Sequence, residues 1–228
     1  MAEEKKALAQ LREVKKNYHL GKVIVPAVRG VTLDVEPGEF LALAGPSGSG
    51  KTTLLNLLGF LDTPTEGEVI LDGTPSNGLS AAELALLRRE KIGFVFQSFN
   101  LIPVLNAYEN VELPLLLLDG WPPERRKETI MQLLAQVGLS GMEDRRPGEL
   151  SGGQQQRVAV ARALVKNPAF VLADEPTANL DSKTGEGILQ LMKQMNKDHG
   201  TTFIFSTHDQ QVMDFADRLV NLLDGKIV

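Results

Sequence analysis

Residues 45–52 read GPSGSGKT: two glycines around a four-residue spacer, then a lysine and a threonine. Glycines in such a loop let backbone N–H groups wrap phosphate oxygens. The lysine adds a reaching positive charge, and the threonine hydroxyl is a hard oxygen ligand for Mg²⁺. One apolar run, FLALAG, leads into the segment, and another, TTLLNLLGF, leaves it. A buried strand therefore feeds a helix whose N-terminus carries positive potential toward the phosphates. The candidate nucleotide-binding residues are Gly45, Pro46, Ser47, Gly48, Ser49, Gly50, Lys51, Thr52 and Thr53. Lys51 is placed for the β- and γ-oxygens and Thr52 for the metal. The competing reading, a Gly/Ser-rich turn with a chance lysine, leaves both flanks unexplained.

A second apolar run, AFVLADEP at 169–176, ends in Asp174 and Glu175. After a strand, such a pair taken alone reads as a solvated loop or a helix cap. Together with a phosphate cradle it reads as chemistry: Asp174 holds Mg²⁺ and Glu175 orients or deprotonates an attacking water. Two further strand ends carry polar side chains: Gln97 closes IGFVFQ and His208 follows TTFIFST. Ligands of open α/β sheets lie beyond the carboxyl ends of the strands. Gln97 can offer its amide to the metal or the water, and His208 a ring N–H to the γ-phosphate. A glutamine satisfying its own loop and a structural histidine are the alternatives.

The stretch LSGGQQQR at 150–157 precedes an apolar helical face, VAVARALV. Two glycines at a helix start lose much conformational entropy and leave backbone N–H groups bare. Ser151, Gly152, Gly153 and Gln154 thus form a second candidate anion site beside the cradle.

The elements that must position these groups alternate along the chain. EFLALAG, KIGFVFQ, AFVLADEP, TTFIFSTHD and RLVNLLDGKIV read as strands covered on both faces, with helical patterns between them. That order predicts an α/β fold with a mostly parallel sheet. VRGVTLDVEPGEF and GEVILDG alternate apolar with polar, predicting a small antiparallel β subdomain. From about 98 to 164 the strand rhythm stops and helical patterns take over, with a turn at Pro122–Pro123. The expected organisation is one domain over 1–228: a core from about 1–97 and 165–228, and an inserted helical subdomain at about 98–164.

With 228 residues, 43% hydrophobic and 23% charged, the chain can bury a sizeable core. It has no cysteine, which removes disulfides, thiolate zinc sites and thiol nucleophiles. The opening residues show no secretion-signal pattern, and VELPLLLLDGW is far shorter than the about 20 apolar residues a membrane span needs. A net charge of −5 without a basic stripe argues against nucleic acid as a partner.

The motifs GPSGSGKT, FVFQ, LSGGQQQR, FVLADEP, ANLDS and STHD, in this order, closely resemble the nucleotide-binding subunit of ATP-binding-cassette (ABC) transporters. The resemblance runs from about Leu11 to Val228, and LSGGQ is its most specific part. It implies an ATPase using ATP and Mg²⁺, with Thr52, Gln97 and Asp174 at the metal and Glu175, His208 and Gln97 in catalysis. It also implies a head-to-tail homodimer, each ATP lying between the cradle of one copy and Ser151–Gln154 of the other. Asp181 of ANLDS then sits at the dimer interface, and Tyr18 of KKNYHLGK stacks on adenine, with His19 as the neighbouring competitor. The partners implied are integral membrane permease subunits at the cytoplasmic face of a bacterial membrane. In the family, a short helix of that partner docks near QSFNLIPVLNAYENVELPLLLLDGW, whose apolar residues read equally as core.

LLGFLDTPTEGEV, the segment after Gln97 and ADEPTANLDS are similar to the bacterial subgroup for lipoprotein release and macrolide or peptide export, which includes the cell-division ATPase. Members often carry Gly where Ala178 stands. A regulatory ATPase of the cell-division type, signalling without transport, is the alternative function. Chromosome and DNA-repair ATPases share the signature but need long heptad insertions, for which the spacing here leaves no room.

Overall fold

The computed structural model describes residues 7–228; residues 1–6, the start of the segment read for a secretion signal, lie outside them. The chain begins with β1 (Ala9–Leu20), β2 (Val23–Val35) and β3 (Phe40–Ala44), then α1 (Lys51–Leu58), β4 (Glu66–Leu71), β5 (Thr74–Pro75) and α2 (Ala81–Lys91). It continues through β6 (Ile92–Val95), α3 (Ala107–Leu116), α4 (Pro123–Gln136), α5 (Gly152–Leu164), β7 (Phe170–Asp174) and α6 (Ser182–His199). It ends with β8 (Thr202–Thr207), α7 (Gln210–Phe215), β9 (Arg218–Leu223) and β10 (Lys226–Ile227). Two compact units result: the chain up to Arg88 with Thr202–Val228, and Arg89–Thr201. The mixed α/β fold expected from the alternating pattern is present.

In the first unit β3 lies between β8 and β9, parallel to both, and all five of its residues are buried. Phe40, Phe203 and Phe205 meet across the β3–β8 pair with ring centroids 4.4–5.9 Å apart. Each such side chain, fully buried, contributes on the order of 2 kcal/mol, so the strand that delivers the cradle is fixed by packing. The expected antiparallel sheet has the order β2-β1-β4-β5. β1 was not legible in the sequence. Ala9 and Leu11 are buried at spacing two, but the next buried residue is Val14, because a bulge at Glu13 (φ 48°) shifts the register. Gly67 faces that bulge, where a Cβ would come within 2.4 Å of the Glu13 carbonyl oxygen.

RLVNLLDGKIV departs from the covered strand expected. β9 alternates exposed and buried residues and turns at Asp224–Gly225 into antiparallel β10. With one face open, the run follows hairpin chemistry, for which Asp-Gly is a strong signal.

In the second unit β6 and β7 pair in parallel, with Val95 opposite Ala173. α5 crosses β6 closely: a Cβ on Gly93 would lie 2.5 Å from the Ala163 carbonyl oxygen. α3 and α4 pack on α5, and Pro123 occupies the first turn of α4, so the Pro-Pro turn is also a helix start. The loop after Gln97 is held by Asn110, fully buried. Its Oδ1 accepts from Ile102 N–H at 2.8 Å, and its Nδ2 donates to the carbonyls of Ile102, Leu105 and Asn106. Of the apolar residues in this region, Val111 and Leu115 are core, whereas Ile102, Val104, Leu116 and Leu117 are exposed.

Candidate nucleotide site

The first unit carries the cradle. Gly45, Gly48 and Gly50 take φ values of 152°, 79° and 105°, the left-handed range that favours glycine. A Cβ on Gly50 would sit 2.6 Å from the Ala27 carbonyl oxygen, whereas the space over Gly48 is open to 4 Å. Pro46 and Ser47 are exposed on the loop. Gly50 caps α1 without a side-chain hydrogen bond, and the first turn holds no acid, so the helix N-terminus presents its positive end uncompensated. Lys51 is buried, and its Nζ donates to the carbonyls of Gly45 at 2.7 Å and Pro46 at 3.1 Å. The lysine thus holds the loop closed around its own charge. Ser49 Oγ is buried without a hydrogen-bond partner, a donor that an incoming phosphate oxygen would satisfy. Thr52 and the half-buried Thr53 occupy the first turn of α1.

Ala44 pairs with Thr207 across β3 and β8, so His208 leaves the sheet at the same edge as Gly45. Tyr18 and His19 are successive residues of β1 and point to opposite faces. Tyr18 is half-buried and its hydroxyl donates to Asp62 at 2.8 Å, just beyond α1, whereas His19 is exposed. The fold thus brings Tyr18 to the helix that carries the cradle.

The second unit carries the carboxylates. Continuing the β6–β7 register past Val95 and Ala173 places Gln97 and the pair Asp174–Glu175 at one edge. Asn179 Nδ2 donates to the Gln97 carbonyl at 3.0 Å, fixing the exposed glutamine's backbone. Glu175 has φ 47°, a conformation that is strained for a non-glycine residue by about 1–3 kcal/mol. Such strain persists only where surrounding structure imposes it, and here the turn that imposes it is closed by Ala178 N–H, which donates to the Glu175 carbonyl at 3.2 Å.

Ser151 caps α5. Its Oγ accepts from Gln154 N–H at 3.3 Å, and Gln154 Oε1 accepts from Ser151 N–H at 2.9 Å. This reciprocal capping box narrows the bare amides expected along Ser151–Gln154 to those of Gly152 and Gly153. The two glycines are also needed for packing. A Cβ on Gly153 would come within 2.4 Å of Thr184 Cγ2, and one on Gly152 within 3.3 Å of Leu180 Cδ2. Thr184 belongs to α6, whose cap is Asp181: the carboxylate accepts from Thr184 N–H at 3.0 Å and from Thr184 Oγ1 at 2.6 Å. Hydrogen bonds from the Thr184 side chain and then its backbone hold the Asp181 carboxyl below its ordinary pKa. Changing Gly153 to Ala is expected to destabilise the chain by about 1–3 kcal/mol through overpacking. Adding Thr184→Ser, which removes the clashing methyl, is expected to restore most of it; urea melts of the single and double variants check this.

Three supporting residues carried no sequence signal of their own. Asn179 holds Gln97, and Gln156, fully buried, donates to the Pro176 carbonyl at 2.6 Å behind the Glu175 turn. Asp62 holds Tyr18. Taken singly, Thr52 of the first unit offers a hydroxyl oxygen, and Gln97 and Asp174 of the second offer an amide and a carboxylate oxygen, each the kind of hard donor that Mg²⁺ takes.

A family model described as ABC transporter matches residues 28–178. Among curated relatives, the ABC transporter ATP-binding protein MJ0796 of Methanocaldococcus jannaschii is 49% identical over 223 residues, covering 96% of this chain and 95% of that one. The macrolide export ATP-binding/permease protein MacB of Syntrophobacter fumaroxidans is 48% identical over 221 residues, covering 96% of this chain but 31% of that protein. The chain therefore spans about a third of MacB's length. Among solved structures, the dimeric post-hydrolysis state of MJ0796 bound to ADP and Pi superposes with a TM-score of 0.88 at 49% identity, covering 96% of each chain.

Proposed function

Because the chain belongs to the ABC transporter family as an ATP-binding cassette, we propose that it hydrolyses ATP as a head-to-tail homodimer to drive integral membrane permease subunits. The observation that carries this proposal is the pair of open helix N-termini: α1 with Lys51 and α5 with Ser151–Gly153, neither holding an acid in its first turn. The described residues of one chain hold a single cradle, so the α5 terminus serves the nucleotide of a second copy. The dimeric relative bound to ADP and Pi supports that arrangement.

Each residue then has a task. Tyr18 stacks on the base, and the Gly45–Gly50 amides, Lys51 and Ser49 Oγ hold the β- and γ-phosphates. The Gly152 and Gly153 amides of the second copy face the γ-phosphate, where charge grows in the transition state. Glu175 accepts the proton of the attacking water, Gln97 orients that water, and His208 steadies the γ-phosphate. Thr52, Gln97 and Asp174 would hold Mg²⁺, which when bound would supply positive charge to neutralise the phosphate oxygens. Asp181, as the cap of α6, lies at the interface between the copies.

The membrane partner is argued from two sides. MacB is by its name an ATP-binding protein joined to a permease. No helix among the described residues is long and apolar enough to cross a membrane. The family and MacB's name support contact with the bilayer through a permease partner at the cytoplasmic face. Exposed Ile102, Val104, Leu116 and Leu117 offer an apolar surface to an amphipathic helix of the permease. The subgroup points to lipoprotein release or macrolide and peptide export. Val104→Glu is expected to abolish co-purification of the permease from membranes while sparing ATP-dependent dimerisation. Retention of the permease by this variant would move the docking surface elsewhere. The same purification identifies the partner: a permease with a substrate path supports transport, and one without supports a signalling complex.

A further inference from the structure

The loop that follows α1 is stitched to the end of β1 by one carboxylate and its neighbours. Asp62 Oδ2 accepts from the Tyr18 hydroxyl at 2.8 Å, and Oδ1 accepts from Lys16 Nζ at 2.5 Å and from Thr63 N–H at 2.8 Å. Lys16 Nζ also donates to the Thr63 carbonyl at 2.8 Å and lies 5.1 Å from the centroid of the Tyr18 ring. The backbone N–H groups of Thr65 and Asn17 complete the seam, donating to the Lys15 carbonyl at 2.8 Å and to Thr65 Oγ1 at 3.0 Å. Burial alone would raise the Asp62 carboxyl, but the Lys16 and Tyr18 hydrogen bonds outweigh it and hold the group below its ordinary pKa. Burial, reinforced by Asp62, pushes the Tyr18 phenol up, so its proton stays available for donation.

A tyrosine on a strand near a hairpin end has two free torsions unless something fixes its tip. Here the tip is tied to Asp62, whose N–H donates to the Asn56 carbonyl of α1 at 3.2 Å; because α1 also carries Lys51 and Thr52, this tie sets the distance and tilt between the ring and the phosphate cradle. We infer that Asp62 is a positioning residue: it locks the Tyr18 ring against α1 so that base and phosphates are gripped at one fixed span. Lys16 supports it by closing the carboxylate's second oxygen and covering the ring. A charge-assisted hydrogen bond of this kind is among the stronger polar contacts, and a preset platform avoids ordering a side chain on binding.

This inference rests on Tyr18 as the base platform, and the test separates the two. Binding of ATP and of inorganic tripolyphosphate, which has no base, is measured by calorimetry on the full chain and on Tyr18→Ala, Tyr18→Phe, Asp62→Ala and the Tyr18→Phe/Asp62→Ala double variant. Asp62→Ala is expected to weaken ATP about fivefold and to leave tripolyphosphate within about twofold. In turnover it raises KM for ATP with kcat nearly unchanged. Tyr18→Phe should match it, and the double variant should be no worse than either single one. Equal losses for ATP and tripolyphosphate would mean that Asp62 acts through the cradle itself, and additive losses would mean that it does not act through Tyr18; either overturns the inference. If Tyr18→Ala left ATP affinity intact, the platform would fall, and the inference with it. Loss in Tyr18→Ala with none in Asp62→Ala would remove Asp62 alone.

Discussion

With Glu175 changed to Gln, ATP hydrolysis is expected to fall by about 10²–10⁴-fold, while ATP still binds and now traps the chain as a dimer in size-exclusion chromatography. The amide keeps the size and the hydrogen-bonding reach of the carboxylate but cannot take a proton. The left-handed backbone at Glu175 is imposed by the turn in which Ala178 N–H donates to the Glu175 carbonyl at 3.2 Å, and a glutamine can occupy it equally well. The binding groups proposed in the first unit are untouched, so affinity should hold. Since the closed dimer would be released by hydrolysis, blocking the chemistry should accumulate it. Turnover at the unmodified rate would take Glu175 out of the reaction.

The second large effect is expected at the α5 terminus. Ser151→Arg should leave ATP binding to the single chain intact but prevent the ATP-driven dimer, and hydrolysis should fall with it. Ser151 is exposed, so the arginine needs no internal space. Losing the capping hydroxyl costs roughly 1 kcal/mol of helix stability, too little to unfold the unit. The bulky side chain would instead stand over the Gly152 and Gly153 amides. Ser151→Ala separates the two effects: it removes the cap without the bulk, and its dimer should persist. ATP-driven dimers of Ser151→Arg, seen by sedimentation, would mean that the α5 terminus does not face a second copy's nucleotide.

The candidate cradle stands out in the sequence because its chemistry is tied to spacing: two glycines, a lysine and a threonine lie between a buried strand and a helix, and both flanks are present. The strands behind them were legible for the same reason, since β3, β7 and β8 are continuous apolar runs covered on both faces. β1 was not, because the bulge at Glu13 breaks the alternation on which a strand reading depends. α2 was missed as well: Leu84 is its one buried residue, so it has almost no apolar stripe. Its start did carry a sign, Ser80 and Glu83 at capping-box spacing, with Ser80 N–H donating to Glu83 at 2.7 Å.

What sequence could not convey was contact. The glycines of LSGGQ look like a provision for ligand alone until the methyl of Thr184 is found against Gly153. Gln154 looks like a ligand group, yet its amide oxygen closes the cap on Ser151. Asp62 looks like any loop aspartate because its partners, Lys16 and Tyr18, lie 46 and 44 residues away in the chain. Hydrogen bonds between distant segments leave no periodic trace, and only the folded arrangement assigns them.

One measurement bears most directly on the proposal that two copies share each nucleotide: hydrolysis per chain as a function of chain concentration, with sedimentation velocity run at the same concentrations and saturating ATP and Mg²⁺. Activity per chain is expected to rise with concentration in step with the dimer fraction and to approach zero where only monomers sediment. A flat activity per chain, maintained down to concentrations at which no dimer is present, would contradict it.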